Sequence, residues 1–257
     1  MQKNALTLTV SAVVLSVFGA FLRWVQTMTI FEEGTGLPVS SAVSTVFVIY
    51  SLAVLGVAAG ATVLLFTGLE IPQDGEDAMH TDSGVPVALA WLCCAAFVGG
   101  GLHMMFSSGS FQLPVMQRLF GAICVAAGVC LPILPCRRKH EGVGGVGRRV
   151  VGLFLTLFFC FWLIYIYRGN ADNPVLWRFV PHIFAACANV CTMYYIAAWF
   201  FSRTRTMVTL AALPYAVYLN LCVMPEASTL GMLLLYLGAA GIYLILYYVI
   251  TANLCRE

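Results

Sequence analysis

The chain has 257 residues, of which 61% are hydrophobic and 9% charged, with a mean hydropathy of +0.92 and a formal net charge of +2. Soluble domains carry about 25% charged residues, so a water-soluble fold, which could not hide this much apolar surface, is excluded, whereas a bilayer needs none of it hidden. The small net charge gives no reason to expect nucleic acid, and its distribution matters more than its sum.

A helix needs about 20 apolar residues to cross roughly 30 Å of hydrocarbon. Eight stretches meet that length: 5–30, 41–69, 85–106, 115–135, 150–167, 179–201, 207–223 and 230–250. Runs such as 150–165 are apolar on every side, which a β-barrel with its alternating polarity would not show. The expected fold is therefore all-α: a polytopic transmembrane helical bundle of about eight spans arranged as four hairpins. The first span follows Lys3 as a signal peptide would, yet no A-x-A site follows and apolar residues resume after Arg23, so it is read as an uncleaved span.

The first span is interrupted near its end by Arg23. The second contains Gly56 and Gly60 as G-x-x-x-G, and the third contains Gly99, Gly100 and Gly101; close helix contact is the expected role of both sets. The acidic connection 70–83 lacks the residue order of an EF-hand and is read as a solvated linker. His103 stands near the end of the third span, and Arg118 in the first turn of the fourth. The basic connection 136–149 divides the chain into possible pseudo-halves, 1–135 and 150–257, within a single membrane domain 1–257. Its Gly142, Gly144 and Gly147 formally match G-x-G-x-x-G, but no strand precedes them and no βαβ unit can be built, so the segment reads as a hinge. Arg137, Arg138, Lys139, Arg148 and Arg149 give it an expected affinity for anionic lipid headgroups. Arg178 and His182 open the sixth span. Pro38, Pro114, Pro174 and Pro225 each precede a returning span, where a missing N–H is tolerated, and three of them are followed by valine. Trp162, Tyr165, Tyr167, Trp177, Tyr194, Tyr195 and Trp199 lie near span ends, as an interfacial belt would place them.

Orientation follows the lysines and arginines of short loops. With the amino terminus inside, Lys3, Arg137, Arg138, Lys139, Arg148, Arg149, Arg203, Arg205 and Arg256 are cytoplasmic, nine of the thirteen basic residues. Both termini are expected in the cytoplasm.

Arg23, His103, Arg118, Arg178 and His182 then lie at similar depth toward the outer face, with Glu32, Glu33, Asp172 and Glu226 in the loops above. An arginine costs about 2.5–3.5 kcal/mol at the bilayer centre on insertion scales. Arg118 and Arg178 also oppose the positive end of their helix dipoles. Two readings follow. The arginines reach headgroups or pair with the loop acids, clamping hairpin to hairpin, or the five residues line an outward vestibule that binds a carboxylate or phosphate.

No HExxH, G-x-S-x-G or P-loop lysine is present, and no carboxylate pair lies inside a span, which disfavours an enzyme or an acid-driven pump. Ten cysteines include no CxxC; most fall in apolar runs, where they act as small hydrophobes. Cys187 and Cys191 share a helix face without nearby histidine or carboxylate, so no metal site is expected. His103 and His182 as haem ligands have nothing else to support them, and no cofactor is expected. The expected function is a non-enzymatic membrane component that binds lipid or a partner protein. The alternative is a small-solute permease or outward-facing anion-binding protein using Arg23, Arg118 and Arg178.

The stretch from Arg23-Trp24-Val25-Gln26 through Phe31-Glu32-Glu33-Gly34-Thr35-Gly36-Leu37-Pro38 resembles the first outer loop of uncharacterised multi-span proteins of anaerobic Gram-positive bacteria. So does Tyr167-Arg168-Gly169-Asn170-Ala171-Asp172-Asn173-Pro174-Val175-Leu176. The resemblance covers the first and third hairpins. It implies a bacterial plasma membrane and the same topology, and carries no activity.

Overall fold

In the computed structural model the described residues are 2–30, 42–66, 78–81, 83–107, 114–135, 143–170, 176–201, 203 and 205–254. Nearly all of them belong to eight helices: α1 (Gln2–Ile30), α2 (Ala42–Phe66), α3 (Gly84–Phe106), α4 (Pro114–Cys130), α5 (Val143–Asn170), α6 (Leu176–Trp199), α7 (Thr206–Val223) and α8 (Leu230–Leu254). Short 3-10 turns extend α4 over Leu131–Ile133 and α7 over Met224–Glu226. No β-strand occurs among the described residues. Every helix is long and apolar enough to cross a membrane. The helical state follows from the solvent, because a backbone amide in hydrocarbon must find its partner inside its own segment.

Consecutive helices pack as hairpins, but the four hairpins are not equivalent. The α7–α8 pair is the axis of the bundle: α8 touches α1, α3 and α7, and α7 touches α1, α2, α6 and α8. In its most apolar window α8 is 67% buried, against 17% for α2, so one helix is core and the other faces mostly lipid. Helix α3 reaches α4 and α8 closely enough that a side chain would not fit. A Cβ at Gly101 would lie 2.6 Å from the Gly121 carbonyl oxygen, and one at Gly100 would lie 2.8 Å from that of Gly231. The close contact expected of α3's glycines is thus made. Gly56 and Gly60 of α2 differ, since a Cβ at either meets nothing within 4 Å. Their G-x-x-x-G spacing serves no helix contact among the described residues.

Three further expectations change. Helix α5 begins at Val143, so Gly144 and Gly147 of the expected hinge are helical. Glycine costs about 1 kcal/mol relative to alanine in a helix, less than leaving amides unpaired beside lipid costs. The start is also tied down, because Arg149 Nε donates to the Phe200 carbonyl at 2.9 Å and its guanidinium lies 5.9 Å from the Phe201 ring centre. Pro114 is the first residue of α4, as its position implies, but Pro225 lies in the turn that prolongs α7, ahead of α8 at Leu230. The expected aromatic belt divides: Tyr167 and Tyr194 are exposed, whereas Trp162, Tyr165 and Trp199 are buried. Tyr165 stacks on Phe120 with ring centres 4.1 Å apart, and Trp199 Nε1 donates to Thr209 Oγ1 at 3.1 Å.

Pro38, Pro174, Gly142, Glu32, Glu33, Asp172, Arg137, Arg138, Lys139 and Arg256 lie outside the described residues, as do 70–77 and Asp82 of the acidic linker.

Candidate functional site

The far ends of α1, α3 and α5 meet the near ends of α4, α6 and α8 at one end of the bundle, which we term the turn end. A cavity of about 570 Å³ opens there, ringed by α3 to α6, the turn after α7, and α8. Its walls include Met104, Gln117, Tyr165, Arg178, Phe179, His182, Glu226, Thr229, Met232 and Tyr236. That volume is within the range of small-molecule pockets.

Its wall is anchored by an ion pair that spans the chain. Arg23 and Glu226, 203 positions apart, have side chains only 2% and 7% exposed. Arg23 Nη2 donates to both Glu226 oxygens at 2.8 Å, and Nε donates to Oε2 at 3.1 Å. Nη1 also donates to Gln26 Oε1 at 2.7 Å, and Nη2 to the Arg178 backbone carbonyl at 3.1 Å. Gln26 in turn donates to Ser44 Oγ of α2 at 3.1 Å, and the Phe47 ring centre lies 5.6 Å from the guanidinium carbon. A fork-shaped guanidinium on a carboxylate is the strong form of a charge-assisted bond. Here it joins α1 and α2 to the turn after α7 and to the start of α6.

His182 continues the wall. Its Nε2 is 3.6 Å from Glu226 Oε2 and its Nδ1 is 2.9 Å from the Tyr236 hydroxyl. The ring is thus held between a carboxylate and a phenol, and the choice of tautomer decides which nitrogen donates. On the opposite side Gln117 Nε2 donates to the carbonyls of Met104 and Ser107 at 2.9 and 3.2 Å.

The five residues singled out from the sequence are dispersed. Arg178, exposed, and His182, half-buried, line the cavity. Arg23 stands behind Glu226 and is not among the described lining residues. Arg118 is exposed on α4, away from that lining. His103 is also outside it, with Nδ1 buried and without a hydrogen-bond partner among the described residues. Sequence reasoning placed Glu226 in a loop above the site, whereas the structure makes it part of the wall. Tyr236 and Gln117 were missed altogether. A tyrosine or glutamine within an apolar run is a weak signal, and nothing in the run shows which face points inward.

Beneath the cavity a buried polar seam descends between α6, α7 and α8. Asn189 and Asn220 exchange side-chain hydrogen bonds at 3.1 and 2.6 Å, and the Tyr243 hydroxyl donates to the Asn189 carbonyl at 3.1 Å. Both asparagines and Tyr243 are fully buried. Interhelical bonds of this kind hold membrane bundles together. Among the described residues no group of three or more His, Cys, Asp or Glu comes together as a metal site.

Fold and span composition make this chain a multi-pass membrane protein, with eight helices among the described residues long and apolar enough to span a bilayer. No protein-family model, curated protein or solved structure matches it.

Proposed function

We propose that the protein is a non-enzymatic component of a bacterial plasma membrane that binds a small ligand, through an anionic group, in the turn-end cavity. One observation carries this reading. The lining of the cavity carries a guanidinium and an imidazole, those of Arg178 and His182, and the described carboxylate in its wall, Glu226, is taken up by Arg23 behind it. A guanidinium at a pocket rim can hold a carboxylate or phosphate with two parallel N–H bonds. The seam beneath supports binding over permeation, because its amides are buried and bonded to one another rather than presented along a path. The distribution of basic residues supports cytoplasmic termini, which puts the cavity on the outer face. The expected headgroup contacts at Arg137, Arg138, Lys139 and Arg149 are then on the cytoplasmic side and remain the proposed partners of anionic lipid, whereas Arg148 of the same set is buried, only 6% exposed.

Thermal melting in a non-ionic sugar detergent tests the cavity. A ligand at a hundredfold excess over its Kd adds about 2.7 kcal/mol, or roughly 5–10 °C in melting midpoint. Phosphate or a small carboxylate at constant ionic strength should raise the midpoint of the wild-type protein and of Arg118→Gln, but not of Arg178→Gln. A wild-type midpoint indifferent to every anion, or a response that persists in Arg178→Gln, refutes the reading.

A further inference from the structure

At the end of the bundle opposite the cavity, α6 finishes and α7 begins, so two helix ends of opposite polarity are neighbours. The negative end, that of α6, is already answered. Arg149 of α5 donates to the Phe200 carbonyl at 2.9 Å, and the Arg203 amide donates to that of Ala198 at 3.1 Å. The positive end, that of α7, is not. Helix α7 runs for 18 residues from Thr206, its first turn holds no acidic residue, and the preceding Arg205 side chain makes no capping bond. Its first main-chain bond joins the Thr209 amide to the Arg205 carbonyl at 3.0 Å, so the amides of Thr206, Met207 and Val208 have no acceptor within the helix. Among the described residues the sole side-chain carboxylate is that of Glu226, in the turn at the far end of the same helix.

A second observation falls on this helix start. Thr206 is only 4% exposed, and its hydroxyl is buried without a hydrogen-bond partner among the described residues. Side chains of a helix tilt toward its amino terminus, so this hydroxyl is aimed at the same end as the free amides. A buried hydroxyl left unmet costs stability, which a ligand accepting its proton recovers. Arg203 and Arg205 belong to the turn that leads into the helix; both are exposed, and neither has an ion pair among the described residues. Phe201 and Val208, close to them in the chain, are exposed as well. We infer that the start of α7 is a phosphate-binding site and that its ligand is the headgroup phosphate of an anionic phospholipid. Free amides at a helix start suit phosphate, and guanidiniums hold its oxygens with paired N–H bonds. A free anion gains nothing from Phe201 and Val208, whereas acyl chains pack on them. The site uses none of Arg137, Arg138, Lys139 and Arg149, and so goes beyond the headgroup contacts proposed above.

Two probes that differ by the phosphoglycerol group test the inference: dioctanoyl phosphatidylglycerol and dioctanoyl glycerol, titrated against the full-length protein in dodecyl maltoside with the melting midpoint as readout. On the wild-type chain the phospholipid should raise the midpoint and dioctanoyl glycerol should not. The double variant Arg203→Gln with Arg205→Gln should raise the half-maximal concentration at least about tenfold, the loss expected of charge-assisted bonds. Thr206→Val should raise it about three- to tenfold, while the lipid-free midpoint stays the same or rises because an unmet hydroxyl has gone. Arg118→Gln, which removes an exposed charge at the turn end, should respond as the wild-type chain does. A phospholipid response undiminished in both site variants overturns the site and leaves the contacts of Arg137, Arg138, Lys139 and Arg149 standing. Equal stabilisation by dioctanoyl glycerol, or none by either lipid, overturns headgroup binding altogether. Inorganic phosphate separates the two sources of the ligand. If it stabilises at concentrations as low as the phospholipid does, and loses that effect in the same variants, the ligand is a free phosphate and the headgroup assignment falls.

Discussion

Removing Arg23 alone should be far more damaging than removing it together with Glu226. In Arg23→Gln the Glu226 carboxylate, 7% exposed, loses the guanidinium that contacts both its oxygens at 2.8 Å. Two unit charges about 4 Å apart interact by about 4 kcal/mol at an effective dielectric constant of about 20. Measured losses on breaking buried pairs are also about 3–5 kcal/mol, because a buried charge is left uncompensated. The two estimates agree in order of magnitude, so either Arg23→Gln or Glu226→Gln should cost about 4 kcal/mol, a fall of roughly 8–16 °C in melting midpoint. The double variant leaves no stranded charge and should recover most of that loss, giving a coupling energy above about 2 kcal/mol. The assay is the thermal midpoint of all four proteins in one detergent, followed by loss of the monodisperse peak on size exclusion. Additive losses in the double variant would show that the two charges are independently solvated and that the pair does not hold the helices.

Two other substitutions probe the packing. Gly101→Ala should destabilise by about 1–3 kcal/mol, since its Cβ would lie 2.6 Å from the Gly121 carbonyl oxygen, whereas Gly56→Ala and Gly60→Ala meet open space and should be neutral or slightly stabilising in the same melt. Asn189→Leu strands the Asn220 side chain in the core and should cost about 1–2 kcal/mol, with Asn189→Leu plus Asn220→Leu closer to wild type; a double variant worse than the single would show that the seam does more than satisfy itself.

Span number and helical state were legible in the sequence because hydropathy measures partition between water and lipid, and lipid leaves the backbone one economical conformation per segment. The costly groups were legible for the same reason. Arg23 and His182 stood out as polar residues at membrane depth, and both prove to be in or beside the cavity wall. The partner of Arg23 was visible as one of four nearby acids but could not be chosen, since the contact joins positions 203 residues apart.

Neighbours are where the sequence falls silent. A helix of a soluble protein announces its buried face by alternating polar and apolar residues, but α7 and α8 are apolar all round and lipid-facing α2 is equally so. Nothing in their composition says that α8 is the core and α2 the periphery, or that Trp162 and Tyr165 turn inward rather than toward headgroups. The amino-acid order by itself determined that eight segments are long and apolar enough to cross a bilayer and which side chains are expensive there. Tertiary structure alone decided which faces meet, because in hydrocarbon that choice rests on shape, close glycine contact and a few hydrogen bonds rather than on avoidance of water.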